Sequence, residues 1–186
     1  MKEYYQIEVA GLKRNLPICP LNDKLCIAGF VIFGDVELTV NSARELLKLA
    51  PKHDVIITAE SKGIPLAHEM ARQEGVNRYL LARKSVKLYM KNVFSTSVDS
   101  ITTDHLQTLY IDGADAEYMK GRDVLIVDDV ISTGESLKAL EKLVNKAGGN
   151  VVGRMAILAE GDAMSRKDIV FLQKLPLFDS EGNELK

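Results

Sequence analysis

The sequence predicts a doubly wound α/β domain built on a mostly parallel sheet. Short runs of β-branched and other apolar residues alternate with segments in which apolar residues recur every three or four positions. The run VLIV at residues 124–127 is apolar without interruption, which is typical of a strand that is covered on both faces. Repeated strand-helix-strand units favour parallel strands that are joined by right-handed crossovers.

Four apolar runs predict the strands of this sheet, at residues 54–59, 77–83, 124–127 and 151–159. A helix is predicted between the first two strands, and Gly75 ends it. A second helix is predicted after Gly134, and the glycine pair at Gly148 ends it before the last main strand.

Two segments lie outside this predicted core. Residues 1–53 form an N-terminal segment, which we call the hood, with a helix predicted from Ser42 to Ala50. Residues 85–121 are long and polar, and their alternating pattern predicts a hairpin with a mobile tip. This hairpin is either a flexible lid over a site or a passive surface feature. We expect one domain over residues 1–186, because the length suits one core and the chain has no repeat or linker.

Composition narrows the classes of function. With a formal net charge of −2, the chain is not expected to work mainly by binding nucleic acid. The N-terminal stretch MKEYYQIEVAG lacks the apolar region of a secretory signal, and no apolar run reaches membrane-spanning length. We therefore expect a cytoplasmic protein with no membrane partner. Cys19 and Cys26 have no cysteine-histidine cluster near them, which favours two reduced thiols over a disulfide or a zinc site.

Two adjacent carboxylates follow the predicted strand at residues 124–127. Ligands of doubly wound sheets bind beyond the carboxyl ends of the strands, which is where the sequence puts Asp128 and Asp129. Two carboxylates can accept hydrogen bonds from a vicinal diol, directly or through a hydrated Mg²⁺ ion. A ribose meets this requirement.

The residues that follow the acids can hold an anion. Ser132, Thr133, Gly134, Glu135 and Ser136 precede a helix, whose N-terminal dipole and backbone N–H groups attract a phosphate. The combined pattern predicts a ligand such as ribose 5-phosphate. The alternative is an ordinary helix cap, because Asp, Ser and Thr are also favoured at helix starts. The chain has no G-x-x-x-x-G-K-[ST] motif, so a Walker-type phosphate loop is not present.

The stretch VLIVDDVISTGES, residues 124–136, resembles the phosphoribosyl pyrophosphate signature of the type I phosphoribosyltransferases. TAESKG, residues 58–63, is similar to the pyrophosphate loop of the adenine members of that family, and LARKSVKL, residues 81–88, is similar to their next strand. RNLP and GFVIFGDVELT also resemble segments of those enzymes, although Leu16 stands where they usually carry an aromatic residue. The resemblance covers the chain from about Gly11 to Glu160.

The resemblance implies specific roles for these residues. It implies that Asp128 and Asp129 bind the ribose and act in catalysis, that residues 132–136 bind the 5-phosphate, and that Glu135 points outward. It also implies that pyrophosphate is bound by Glu60, Ser61, Lys62, Gly63, Arg83, Lys84 and Lys87. Taken singly, each lysine is more typical of a solvated surface residue, but their positions at strand ends favour a charged ligand.

The implied function is purine salvage. Ribose 5-phosphate would pass from phosphoribosyl pyrophosphate to a free purine base, with pyrophosphate released and Mg²⁺ held through substrate and water instead of by the protein directly. The resemblance also implies a homodimer, in which Arg83 or Lys84 serves the neighbouring site. Residues 85–121 would then be the lid that keeps water from the reactive sugar.

The identity of the base stays open. Adenine is favoured, but the adenine enzymes usually carry a lid glutamate, for which Asp99 or Asp104 would have to substitute, and the lid also resembles that of xanthine phosphoribosyltransferase. Leu16, Glu160 and Asp162 are candidate base contacts. A different alternative is a regulator of purine genes that binds phosphoribosyl pyrophosphate without catalysis. The hood lacks two adjacent helices joined by a tight turn, which favours the enzyme.

Overall fold

The computed structural model describes residues 2–98 and 107–185. Its strands are β1 (Tyr4–Val9), β2 (Leu12–Pro20), β3 (Cys26–Ala28), β4 (Val55–Ala59), β5 (Leu80–Ala82), β6 (Phe94–Val98), β7 (Gln107–Ile111), β8 (Asp123–Ile131), β9 (Asn150–Glu160), β10 (Val170–Leu175) and β11 (Leu177–Phe178). Its helices are α1 (Val36–Leu47), α2 (Ile64–Glu74), α3 (Gly113–Met119) and α4 (Glu135–Lys146), with a short 3₁₀ turn at Gly161–Ser165.

A five-stranded parallel sheet forms the centre of the protein, in the order β10-β9-β8-β4-β5. Residues 124–127 of β8 are almost completely buried, and alternate side chains enter two different clusters. Leu125 and Val127 pack with α1 and α2, whereas Val124 and Ile126 pack with α3 and α4. The predicted α/β fold with a sheet covered on both faces is therefore confirmed.

The strand β8 is longer than the apolar run predicted. It pairs with β9 as far as Ile131, which lies opposite Ala159, so Asp128 and Asp129 are strand residues. The sequence placed them in the turn after the strand, which is wrong because the ladder to β9 continues past the apolar run. Both acids therefore have a backbone that is fixed by a neighbouring strand.

The N-terminal residues belong to two layers. Strands β1, β2 and β3 form an antiparallel sheet with β11, which comes from the other end of the chain. Helix α1 instead packs against α2 in the core, and it begins at Val36 and ends at Leu47, whereas the sequence predicted Ser42 to Ala50. The predicted bounds are wrong because the polarity of the first turns is reversed: the apolar Val36 is exposed, whereas the polar Thr39 and Ser42 are buried.

The predicted hairpin is present as the antiparallel pair of β6 and β7. Residues 99–106, which would form its tip, lie outside the described residues, and so do Asp99 and Asp104. The segment after the hairpin is not part of it, because α3 buries Ala116 and Met119 in the core. No helix in the described part of the chain is long and apolar enough to cross a bilayer.

Asp35 joins strand β2 to helix α1. Its Oδ1 accepts a hydrogen bond from the Leu38 backbone N–H at 3.0 Å and thereby caps α1. Arg14, from β2, donates from Nε to Asp35 Oδ2 at 2.6 Å and from Nη2 to Oδ1 at 3.1 Å. The Arg14 guanidinium, together with the Leu38 N–H, holds the pKa of Asp35 below its usual range. Arg14 belongs to the RNLP motif and Asp35 to GFVIFGDVELT, so two motifs that carry the family resemblance are joined by this ion pair.

We expect Asp35→Ala to lower the free energy of unfolding by about 1–2 kcal/mol, since a lost helix cap alone typically costs about 1 kcal/mol. Because the folded-state pKa of Asp35 is depressed, its contribution is present above pH 4 and is lost as the pH falls through the folded pKa. Urea unfolding at pH 7 and pH 3 measures both effects. Glu37→Gln is the control, because Glu37 is exposed and pairs with Arg14 Nη2 without accepting the Leu38 N–H bond that caps α1. An equal loss in both variants would contradict the role of the cap.

Candidate functional site

A cavity of about 400 Å³ opens at the carboxyl edge of the central sheet. One wall is the segment Ile27–Val31 of the hood, which is mainly apolar. The opposite wall comes from the ends of β4, β8 and β9 and the loops that follow β4, β5 and β8. It contains Ala59, Glu60, Ser61, Lys62, Lys84, Asp128, Asp129, Val130, Ser132, Ser136 and Glu160.

The acid pair lies at the base of this cavity. Asp129 donates its backbone N–H to Asp128 Oδ1 at 2.9 Å, and its side chain is almost fully buried. Lys62 Nζ is 3.3 Å from Asp129 Oδ2, which makes an ion pair, but this oxygen has no hydrogen-bond partner in the described residues. Dense protein around the Asp128 carboxyl, and then the charge of Asp129, raise the pKa of Asp128 far above its usual range. The pair is poised to accept a cation or a hydroxyl donor.

Gly63 brings the loop after β4 onto Asp128. A Cβ atom at Gly63 would lie 2.2 Å from Thr58 Oγ1 and 2.9 Å from Asp128 Oδ1, distances at which atoms overlap. Gly63 is also the N-cap of α2, and the preceding residues Ser61 and Lys62 lie in the same cavity wall as the acids. The absence of a side chain at Gly63 therefore allows the loop and the acids to form one site.

Glu60 lies in the cavity wall and binds the two basic residues that follow β5. Its Oε2 accepts a hydrogen bond from the Lys84 backbone N–H at 3.0 Å, and its Oε1 lies 3.2 Å from Arg83 Nη2. The Lys84 N–H, and then the charge of Arg83, lower the pKa of Glu60. Glu60 thus fixes the strand end that carries Arg83 and Lys84 while it lines the cavity, and its contact with pyrophosphate stays a prediction.

A second, smaller cavity of about 60 Å³ is formed by the loop between β8 and α4. Gly134 takes a left-handed conformation, with φ of 78°, at the N-terminus of α4. Thr133 and Glu135 lie in the same wall, and Glu135 is partly exposed. The two cavities share Asp128, Val130, Ser132 and Ser136, so an anion in the smaller one would lie next to a ligand on the acids.

Some predicted residues lie away from both walls. Leu16 packs in the core from β2, so its assignment as a base contact is corrected. Asp162 is exposed on the turn after β9 and lines neither cavity. Lys87 bonds to Ser85 Oγ at 2.6 Å, and Arg83 is engaged with Glu60. Neither of these two cations lines the cavities in this conformation.

Sequence reasoning missed the apolar wall at Ile27–Val31. Phe30 is buried and Val31 is mostly exposed, and the Gly29 N–H donates to the Pro17 carbonyl at 2.8 Å. The motif that begins at Gly29 was noticed as part of the resemblance, but nothing local indicated that this segment faces the acids. Glu160 also lies in the cavity wall, and burial raises the pKa of its carboxyl; its contact with a base stays a prediction.

The donor set suits a magnesium ion that is shared with a ligand. Carboxylate oxygens are ligands that Mg²⁺ prefers, and the buried Asp129 Oδ2 has no hydrogen bond from the part of the chain that the structure describes. Within residues 2–98 and 107–185 no group of three or more His, Cys, Asp or Glu side chains could hold a metal by itself. Most ligands of such an ion would have to be oxygens of water and substrate.

Comparison with known proteins gives one consistent result. The family model of the phosphoribosyl transferase domain matches residues 38–183. A hypoxanthine/guanine phosphoribosyltransferase of Methanococcus voltae is 32% identical over 138 residues, which cover 74% of this chain and 70% of the relative. An adenine phosphoribosyltransferase of Petrotoga mobilis is 35% identical over 144 residues, which cover 70% and 76%. The crystal structure of adenine phosphoribosyltransferase from Thermoanaerobacter pseudethanolicus aligns with a TM-score of 0.70 at 23% identity, covering 86% of this chain and 95% of that one.

We expect Gly63→Ala to lower the free energy of unfolding by about 1–3 kcal/mol, because the added methyl group overlaps Thr58 and Asp128. Urea unfolding measures this loss. Gly29→Ala is the matched control, since its Cβ would meet only ordinary contacts beginning at 3.4 Å. Adding Thr58→Ala to Gly63→Ala should recover part of the loss, and equal stability of the Gly63 and Gly29 variants would contradict the close approach.

Asp128→Asn should raise the free energy of unfolding at pH 8 by about 0.5–2 kcal/mol. The folded-state pKa of Asp128 is raised to about 8, so ionising this group costs stability as the pH rises from the unfolded-state value of about 4. The stability gain should therefore grow between pH 5 and pH 8, as measured by thermal unfolding. A gain that does not change with pH would show that the charge of Asp128 is not its source.

Proposed function

Because the chain belongs to the phosphoribosyl transferase domain family, we propose that it is a purine phosphoribosyltransferase of nucleotide salvage. It transfers ribose 5-phosphate from phosphoribosyl pyrophosphate to a free purine base, with adenine favoured, and releases pyrophosphate. The observation that carries this proposal is that two cavities meet at Asp128. The smaller one suits a phosphate and the larger one has room for a sugar, a second anion and a base.

The proposed reaction is a displacement at the anomeric carbon of the ribose. A ring nitrogen of the purine forms the new bond to this carbon, while the carbon–oxygen bond to pyrophosphate breaks and its electron pair leaves with pyrophosphate. The ring nitrogen gives up its proton to water or to the departing pyrophosphate, which balances the reaction. The sugar carries positive charge in the transition state, so groups fixed around it and around the leaving group determine the rate.

Residues of both loops have assigned roles in this proposal. Asp128 and Asp129 hold the ribose hydroxyls, and the backbone N–H groups of residues 132–136 hold the 5-phosphate. Ser61, Lys62 and Lys84 face the leaving pyrophosphate, and binding of substrate draws Lys62 away from Asp129. Mg²⁺, when bound through substrate and water, supplies further positive charge at the pyrophosphate.

The base is proposed to lie between the apolar wall at Ile27–Val31 and Glu160. A flat apolar wall suits a purine ring, and the Glu160 carboxyl is the polar group of the cavity at the end of β9. Relatives named for adenine and for hypoxanthine/guanine are similarly close to this chain. A xanthine or other 6-oxopurine enzyme is therefore the second candidate.

The function is tested by incubating the protein with phosphoribosyl pyrophosphate, Mg²⁺ and one base at a time: adenine, xanthine, guanine, hypoxanthine or orotate. Nucleotide formation and pyrophosphate release are followed together. We expect turnover with a purine, adenine foremost, and none with orotate. Binding of phosphoribosyl pyrophosphate without turnover of any base would contradict the enzyme and favour a regulator that senses this ligand.

Three further features belong to the proposal. The β6–β7 hairpin acts as the lid that excludes water from the reacting sugar. The reaction takes place in the cytoplasm, because highly charged sugar phosphates do not cross a bilayer unaided. The active form is a homodimer, and its support is the exposed apolar group Val86, Leu88 and Tyr89, which directly follows Arg83 and Lys84.

Asp128→Asn combined with Asp129→Asn should lower kcat/KM by about 100-fold or more, because each amide has one acceptor oxygen where a carboxylate offers the ribose hydroxyls two. Steady-state kinetics with phosphoribosyl pyrophosphate as the varied substrate measure the loss. Asp162→Asn is the matched control, since Asp162 is an exposed acid outside both cavity walls. Near wild-type turnover in the double variant would contradict the ribose assignment.

Leu88→Glu should convert the dimer to a monomer and reduce turnover, because it puts a charge in the proposed apolar contact. Sedimentation velocity and kinetics on the same sample check both effects. Leu49→Glu changes an exposed leucine on another face and should do neither. If the wild-type protein is a fully active monomer at high dilution, the sharing of Arg83 or Lys84 between subunits is refuted.

A further inference from the structure

Arg166 is an arginine beside the phosphate loop to which neither the motifs nor the proposed mechanism gives a role. It follows the 3₁₀ turn Gly161–Ser165 at the end of β9. Its Nε donates to Asp168 Oδ1 at 2.9 Å and its Nη2 donates to Asp168 Oδ2 at 2.6 Å. This two-point pairing fixes the plane of the guanidinium, whose side chain is about a quarter exposed.

The remaining end of the guanidinium faces the loop. Arg166 Nη1 has no hydrogen bond to any of the described residues, and it packs against Gly134 so closely that a Cβ there would lie 2.6 Å from it. Gly134 is the residue whose left-handed conformation turns the loop into α4. Arg166 therefore touches the loop at the point on which its shape depends.

The two edges of the Arg166 guanidinium have different surroundings. Asp168 neutralises the Nε edge, and Glu141 on α4 adds an attraction but is itself paired with Arg154. Among the described residues, no acid is hydrogen-bonded to the edge of Arg166 that faces Gly134. An arginine held by a carboxylate at one edge, with donors left at the other, is arranged to act on an anion in the loop.

We infer that Arg166 is a positioning residue for the 5-phosphate, holding Gly134 in the anion-binding conformation and adding positive charge to the loop while Asp168 fixes its orientation. The inference rests on the proposed function, because it takes residues 132–136 as the site of the 5-phosphate. It predicts that Arg166 matters for ligands that carry this phosphate and not for pyrophosphate, which binds at the loop after β4.

Calorimetry with two probes tests the inference on the full-length protein with Mg²⁺. Arg166→Met should weaken binding of ribose 5-phosphate about tenfold and leave binding of pyrophosphate unchanged. Arg166→Lys, which keeps the charge but not the two-point pairing, should fall between Met and wild type. Asp168→Asn should weaken the binding of ribose 5-phosphate less than Arg166→Met does. Lys167→Met, a change at an exposed neighbour, should have no effect.

Kinetics on the same variants separate positioning from general damage. Arg166→Met should raise the KM for phosphoribosyl pyrophosphate with little change in kcat, and the thermal midpoint should stay close to that of Lys167→Met. Unchanged affinity for ribose 5-phosphate, or an equal loss for both probes, would overturn the inference. If Arg166→Met does not fold, Arg166→Lys decides by the same comparison. If the wild-type protein binds neither probe, the proposed function itself fails.

Discussion

The close approach of Gly63 to Asp128 is the contact on which the site depends. Strands β4 and β8 are parallel neighbours, so the loop after β4 and the end of β8 meet at one edge of the sheet. Because Gly63 has no side chain, the loop can lie on Thr58 and Asp128. Lys62 then comes within 3.3 Å of Asp129, and Ser61 enters the wall of the same cavity. A site that binds two anions around one sugar requires this convergence.

Burying the acid pair lowers the stability of the fold, and the strand packing around the pair offsets this loss. Two carboxylates in adjacent positions repel each other, and the surrounding protein removes water that would stabilise their charge. The Lys62 ammonium and the backbone N–H of Asp129 offset only part of this cost. The buried residues 124–127 and the ladder to β9 keep both acids in place nevertheless. Such a strained arrangement is typical of groups whose partner is a ligand, and a cation or ribose hydroxyl would supply the missing interactions.

Local sequence patterns predicted β4, β5, β8 and β9 of the central sheet, but not β10, and they predicted most residues of the candidate site, because these signals are local. The run at residues 124–127, the two acids and the loop that follows them are contiguous, and the chemistry of each could be stated without a structure. The bounds of α1 could not be predicted from the sequence, because its apolar Val36 is exposed and its polar Ser42 is buried, which reverses the usual pattern. The apolar wall at Ile27–Val31 depends on a sheet that includes β11, from the far end of the chain. The contacts of Glu60 could not be predicted from the sequence, because only the fold brings its carboxylate to Arg83 and to the Lys84 N–H.

The central claim is that the two loops and the acid pair form one continuous site for phosphoribosyl pyrophosphate. The most direct measurement is competition calorimetry, in which this ligand is titrated with Mg²⁺ into protein already saturated with ribose 5-phosphate or with pyrophosphate. We expect each of the two smaller ligands to block phosphoribosyl pyrophosphate competitively. If either one binds without lowering the apparent affinity for phosphoribosyl pyrophosphate, the two loops do not hold the two ends of a single molecule and do not form one continuous site.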